Sequence, residues 1–140
     1  MNEIIDNLWL GAVDATTDKA KLAKIGITHV LSVGQEPMNL PEGATAKFIR
    51  ARDSSTQSLN RVLPEAVAFI TEAISGGGKI LVHCFAGVSR SASCVIAYLM
   101  KSKQIGYEEA LAMTVAKRFC VEPNDTFVRQ LQEYQTQLGL

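Results

Sequence analysis

The stretch His83-Cys84-Phe85-Ala86-Gly87-Val88-Ser89-Arg90-Ser91 sits between two apolar segments. Before it, Lys79 to Val82 is a short apolar run that follows Gly76-Gly77-Gly78, which predicts a buried strand. After it, Ser91 to Lys103 is apolar on almost every side (Ala92, Cys94, Val95, Ile96, Leu99, Met100), which predicts a helix at the centre of the core. The order is therefore strand, loop, helix. Backbone N–H groups in such a loop converge on one point, and the helix N-terminus adds unsatisfied donors and a partial positive charge. Gly87 permits a dihedral closed to other residues. The segment reads as an anion cradle sized for a phosphate.

Outward from this loop the pattern continues. Ile4 to Leu10 mixes β-branched and aromatic residues and predicts a strand ending at Gly11. Asp14 to Ile25 predicts a short helix stopped by Gly26, and Thr28 to Val33 a buried strand closed by Gly34. The segment 35–43, with Pro37, Pro41 and Gly43, reads as loop, and 46–51 as strand. A polar loop over 52–59 leads to Asn60, a candidate cap for a helix whose Leu63, Val67, Ile70 and Ile74 share one face. Tyr107 to Lys117 predicts another helix, and Asn124 caps a last one with Phe127, Leu131, Tyr134 and Leu138 on one face. Strands alternating with helices indicate an α/β architecture with a largely parallel sheet.

The 140 residues show no repeat, linker or low-complexity tract, and read as one domain over 1–140. Fourteen basic and fourteen acidic side chains balance, which argues against a nucleic-acid partner. Cys84, Cys94 and Cys120 match no zinc spacing and read as free thiols of a cytoplasmic protein, with access to the nucleus allowed. The N-terminus has no secretory h-region, and no apolar run reaches the length of a membrane span. Cys94, Cys120, His29 and Trp9 read as packing or structural residues, and Arg52 as a solvated charge.

The chemistry of the loop follows from residue type. A thiol near a helix N-terminus and a guanidinium loses its proton more readily, and the thiolate is the nucleophile. Cys84 fills that position. Arg90, six residues on, closes the loop with a planar fork suited to two phosphoryl oxygens. Phe85, Ala86, Gly87, Val88 and Ser89, with Arg90, make up the phosphate-binding loop. A leaving alkoxide or phenoxide also needs an acid. Glu65 and Glu72 fall in a helix, and Glu36 and Glu42 in an earlier loop. Asp53 follows a strand and opens a polar loop, but a loop carboxylate bonding nearby backbone would look the same.

The segment 83–91 resembles the His-Cys-x5-Arg signature of protein tyrosine phosphatases. Ala86-Gly87 and Ser89-Arg90-Ser91 are similar to the dual-specificity branch, in particular its small atypical members. Leu8-Trp9-Leu10-Gly11, Ala97-Tyr98-Leu99-Met100, and Glu122-Pro123-Asn124 with Phe127 extend the likeness over nearly the whole chain. The resemblance implies a protein tyrosine phosphatase-like fold, with about five strands flanked by helices. It implies Cys84 as nucleophile, Arg90 as phosphate ligand, Asp53 as general acid/base and Ser91 as the hydroxyl that eases thiolate departure. His83 and Asn124 are supporting residues: His83 through structural hydrogen bonds, Asn124 by steadying the loop.

The expected activity is hydrolysis of phosphotyrosine and phosphoserine or phosphothreonine through a phosphocysteine, with no metal or cofactor and phosphoproteins as partners. The loop interior carries no Lys or extra Arg, unlike the inositide phosphatases of the superfamily. The alternatives are a phosphatase of a non-protein phosphate (inositide, glucan or RNA 5′ end) and a phosphoprotein-binding module without turnover. A rhodanese-type arrangement fits the surrounding strands and helices poorly. Oligomeric state is not readable from the sequence.

Overall fold

A computed structural model describes residues 1–140. Five strands form one sheet: β1 (Asn2–Ile5), β2 (Leu8–Gly11), β3 (His29–Val33), β4 (Thr45–Ile49) and β5 (Ile80–His83). Their spatial order is β1-β2-β5-β3-β4, and only the β1–β2 pair is antiparallel. Five α-helices accompany the sheet: α1 (Lys19–Ile25), α2 (Val62–Ser75), α3 (Arg90–Lys103), α4 (Tyr107–Lys117) and α5 (Asp125–Gln137).

β5 is the central strand, and all four of its residues are fully buried. Alternate side chains serve opposite faces. Leu81 packs with Leu22, Ile27 and Val30 beneath α1, while Ile80 and Val82 join the main core beside α3. α3 lies against α2, α4, α5 and the sheet, and every residue from Ser91 to Met100 is buried. Truncating Ile96 or Leu99 to alanine would cost about 2–5 kcal/mol, against a net stability of roughly 5–15 kcal/mol for a domain. The loop from β5 to α3 therefore hangs between the two elements least free to move. The carboxyl ends of β2, β3, β4 and β5 open on one edge, where ligands of parallel sheets bind. In register, His83 lies between Gly11 of β2 and Ser32 of β3.

The structure departs from the sequence reading in four places. The single strand expected over 4–10 is a hairpin, because Asn7 takes a left-handed φ of 74° and turns the chain after Asp6. Asn tolerates that region better than other residues with a Cβ. The helix expected over 14–25 divides into a 3₁₀ turn, Val13–Thr16, and α1, which Asp18 caps by accepting from the Lys21 N–H at 3.0 Å. Asn60 does not cap α2: Arg61 is already in the right-handed helical region (φ −95°, ψ −34°), and no side chain caps that end. β4 stops at Ile49, two residues before the expected end, and leaves the Ala51 carbonyl outside the ladder.

Candidate active site

The loop Cys84–Ser89 leaves β5 and enters α3 at Arg90. Its carbonyls are held from outside. Val13 N–H donates to Phe85 O at 3.0 Å, and Glu122 N–H to Val88 O at 2.9 Å. Ser93 donates to Ser89 O from its N–H at 2.9 Å and from its hydroxyl at 2.7 Å. Arg118 donates to Gly87 O from Nε at 2.9 Å and to Ala86 O from Nη2 at 3.2 Å. Gly87 has φ +67°, and a Cβ there would lie 2.6 Å from the Gly11 carbonyl and 2.7 Å from Arg118 Nη2. Only glycine meets both demands.

Cys84 is 2% exposed, and its Sγ accepts from Ser91 Oγ at 3.1 Å and from the Gly87 N–H at 3.3 Å. Burial, the largest single influence, raises the thiol. The Ser91 hydroxyl, the Ser91 and Gly87 amides and the Arg90 charge together outweigh it and hold the thiol below its ordinary value of 9.0. Cys94 differs: it is fully buried, and desolvation pushes its thiol up, so it stays protonated and inert. Cys120 is half-buried, and all three thiols are free.

Arg90 is half-buried and uses Nη1 twice, on Gly34 O at 3.1 Å and Ala51 O at 3.2 Å. These two bonds aim the guanidinium and leave Nε and Nη2 for an anion. Gly34 makes the arrangement possible. Its φ is +73°, and a Cβ would overlap both Ala51 O and Arg90 Nη1. From the sequence Gly34 is only a strand terminator, and nothing local marks it as a seat for Arg90. Arg118 is likewise absent from the sequence reading, because a basic residue just past a helix C-terminus is ordinary.

His83 is fully buried. Its Nδ1 faces Cys84 O at 3.2 Å and its Nε2 faces Ser32 Oγ at 2.6 Å. A neutral ring with the proton on Nδ1 satisfies both, with the Ser32 hydroxyl donating to Nε2. Burial lowers the imidazole below its ordinary value of 6.5, and the contact with Cys84 O offsets this only in part. His83 thus ties the strand end to β3 and carries no charge at neutral pH. His29 sits edge-on to Phe69 at 5.7 Å and bonds Thr28, remote from the loop in its contacts.

Asp53 is exposed, and its Oδ1 accepts from Asn124 Nδ2 at 2.9 Å. Asn124 caps α5 through Oδ1, which accepts from Phe127 N–H at 2.9 Å, and its own N–H donates to Ser89 Oγ at 2.9 Å. One residue so joins the phosphate loop, the Asp53 loop and the last helix. The Asp53 loop is also tied to α5 by Gln130, which accepts from Leu59 N–H at 2.6 Å and donates to Gln57 O at 2.9 Å. Glu65 instead pairs with Lys47 on β4 at 2.9 Å.

A buried, acidified thiol beneath a ring of outward-held carbonyls, with an oriented guanidinium beside it, defines the class of cysteine-dependent phosphatase-like folds. The family follows from comparison. The model of the dual specificity phosphatase catalytic domain matches residues 8–137. Dual specificity protein phosphatase 22-A of Danio rerio is 43% identical over 135 residues, covering 96% of this chain and 65% of that protein. Dual specificity protein phosphatase 22 of Homo sapiens is 42% identical over 135 residues, covering 96% and 73%. The human tyrosine phosphatase-like serine/threonine/tyrosine-interacting protein superposes with a TM-score of 0.94 at 35% identity, covering 100% of this chain and 98% of that one. The chain belongs to the dual specificity phosphatase catalytic domain family. It spans just under two thirds of the Danio relative's length.

Proposed function

We propose that residues 1–140 form one catalytic domain that removes phosphate from phosphotyrosine and from phosphoserine or phosphothreonine in proteins. The observation that carries this reading is the Cys84 Sγ, which accepts from the Ser91 hydroxyl and the Gly87 amide at the floor of the loop. In the first step the Cys84 thiolate attacks phosphorus. The S–P bond forms as the ester P–O bond breaks, and Asp53 gives its proton to the leaving oxygen. In the second step the Asp53 carboxylate takes a proton from water and the water oxygen attacks phosphorus. The S–P bond then breaks, releasing phosphate and a thiolate that Ser91 stabilises. The loop amides and Arg90 stabilise the charge on the phosphoryl oxygens in both steps.

The proposed phosphoprotein substrates fit the names of the relatives and a loop interior of Phe85, Ala86, Gly87, Val88 and Ser89 without a cation. A location in the cytoplasm is supported by three free cysteines. No helix is long and apolar enough to cross a membrane.

A phosphatase-like interacting protein shares this fold, so a second reading is phosphoprotein binding without turnover. Cys84 separates the two. Wild type should hydrolyse p-nitrophenyl phosphate and Cys84→Ser should not; an inert wild type, or an active Cys84→Ser, would overturn the mechanism. A panel of phosphopeptides beside an inositide, a phosphoglucan and an RNA 5′-phosphate then assigns the substrate class, and preference for any of the last three would overturn the protein reading.

A further inference from the structure

A peptide group carries its N–H and C=O on opposite edges. A loop carbonyl anchored on the outside therefore turns the next residue's N–H inward. The contacts of the phosphate loop follow this rule. Val13 N–H on Phe85 O turns the Ala86 N–H, Glu122 N–H on Val88 O turns the Ser89 N–H, and Ser93 on Ser89 O turns the Arg90 N–H. These three anchors involve backbone donors from neighbouring segments. The two peptides between them are held by side-chain donors alone. Ala86 O and Gly87 O, whose peptides carry the Gly87 and Val88 N–H groups, are both bound by Arg118.

This is also where the chain is freest to turn. Gly87 sits at φ +67°, and the peptides flanking a glycine rotate with least steric resistance. A flipped Ala86–Gly87 peptide would present a carbonyl, not an N–H, to the thiolate and the phosphate. Arg118 opposes the flip with two charge-assisted bonds in a fixed fork. Its third arm, Nη1, donates to Asn2 Oδ1 on β1 at 2.9 Å, so the fork is itself held. The backbone N–H of Arg118 donates to Thr114 O at 2.9 Å, which fixes its base at the end of α4.

We propose that Arg118 is a positioning residue for the phosphatase reaction, holding the Gly87 and Val88 N–H groups toward Cys84 and the phosphoryl oxygens, with Asn2 orienting its guanidinium. The proposal rests on Cys84 being the nucleophile. One consequence is already visible: the Gly87 N–H points at Cys84 Sγ, at 3.3 Å. Arg118 acts through the loop and not through its charge alone. A lysine keeps the charge but cannot span two carbonyls and Asn2 at once.

The test compares Arg118→Ala, Arg118→Lys and Asn2→Ala with wild type and Cys84→Ser. Two quantities are read: kcat/KM on p-nitrophenyl phosphate, and the pH midpoint of iodoacetamide alkylation measured on the Cys84 peptide by mass spectrometry. Removing one oxyanion donor costs about 100- to 1000-fold in rate, so loosening two donors is expected to cost about 10- to 100-fold in Arg118→Ala. The alkylation midpoint should rise. Arg118→Lys should recover only part of the loss, and Asn2→Ala should move both quantities the same way by less. If Arg118→Ala does not fold, the latter two variants decide. Full recovery in Arg118→Lys would mean charge alone suffices. An unmoved midpoint, with or without lower activity, would mean Arg118 is only structural; either result overturns the proposal. An active Cys84→Ser would instead overturn the nucleophile assignment.

Discussion

The side-chain amide of Asn124 donates to the carboxylate of Asp53 at 2.9 Å while the opposite face of the same amide, Oδ1, caps α5. The helix terminus thus holds Asn124, and Asn124 holds the exposed carboxylate of Asp53. For Asp53 as the proposed general acid, such preorganisation is worth rate, because the orientation is set before substrate arrives.

Asn124→Ser separates the two jobs. Serine caps a helix about as well as asparagine, so the thermal midpoint should stay close to wild type. The amide bond to Asp53 is lost, and kcat should fall by about 5- to 10-fold, well short of the 100- to 10,000-fold attributed to a whole general acid. Steady-state kinetics on a phosphopeptide beside a thermal melt would read both. Unchanged kcat would mean that Asp53 needs no tether.

Ser91→Ala removes the hydroxyl that donates to Cys84 Sγ and leaves the Gly87 and Ser91 amides as donors. The Ser91 hydroxyl lowers the thiol, so its loss raises it, and the acid limb of kcat/KM should move to higher pH. Breakdown of the phosphocysteine should also slow, because the departing thiolate loses a donor. A stopped-flow burst with p-nitrophenyl phosphate, larger than in wild type, would report this. A pH profile that does not move would contradict the assignment.

Gly34→Ala places a Cβ on Ala51 O and Arg90 Nη1 at a φ of +73°. The guanidinium must leave its seat. Hydrogen bonds to charged groups contribute about 1.5–3 kcal/mol each, so inhibition by orthovanadate should weaken by at least about tenfold. A competitive inhibition constant measures it, and circular dichroism checks that the sheet persists. Retained vanadate affinity would show that Arg90 does not depend on this seat.

His83 is held neutral in the folded chain below its ordinary value of 6.5. The unfolded chain takes up this proton more readily, so it binds more protons as pH falls through about 6.5, and stability falls with it. Above that value the effect is absent. Urea midpoints at pH 7.5 and 5.5 should show a smaller acid loss in His83→Gln than in wild type. Equal losses would place the titration elsewhere.

Much of the fold was legible because its signals are local. The apolar 80–82 run, the all-round apolar 91–100 helix and the glycine stops at 26 and 76–78 each depend on residues close in sequence. The hairpin at Asp6-Asn7 is hard to read because the apolar runs 4–5 and 8–10 both suit a strand, and only the polar pair between them marks the turn. Asn60 was misplaced because its type suits a cap, whereas the entry angle of α2 is set by the buried Leu59 and by Gln130 of α5. Asp53 was legible as a loop carboxylate; that Asn124 holds it was not.

The cysteine, the arginine six residues on and the glycine between them, in a strand-loop-helix order that makes an anion cradle, can all be read along the chain. Those are properties of neighbouring residues, and chain connectivity carries them. What turns the cradle inward and aims its arginine depends instead on groups that folding brings together. Gly34 and Ala51 meet Arg90 because β3 and β4 end at the same edge as β5, and Arg118 reaches Gly87 across 31 positions of chain and Ala86 across 32. Carbonyls have no sequence signature, since every residue carries one. Which of them face a donor depends on how the sheet orders its strands and on where the helices end.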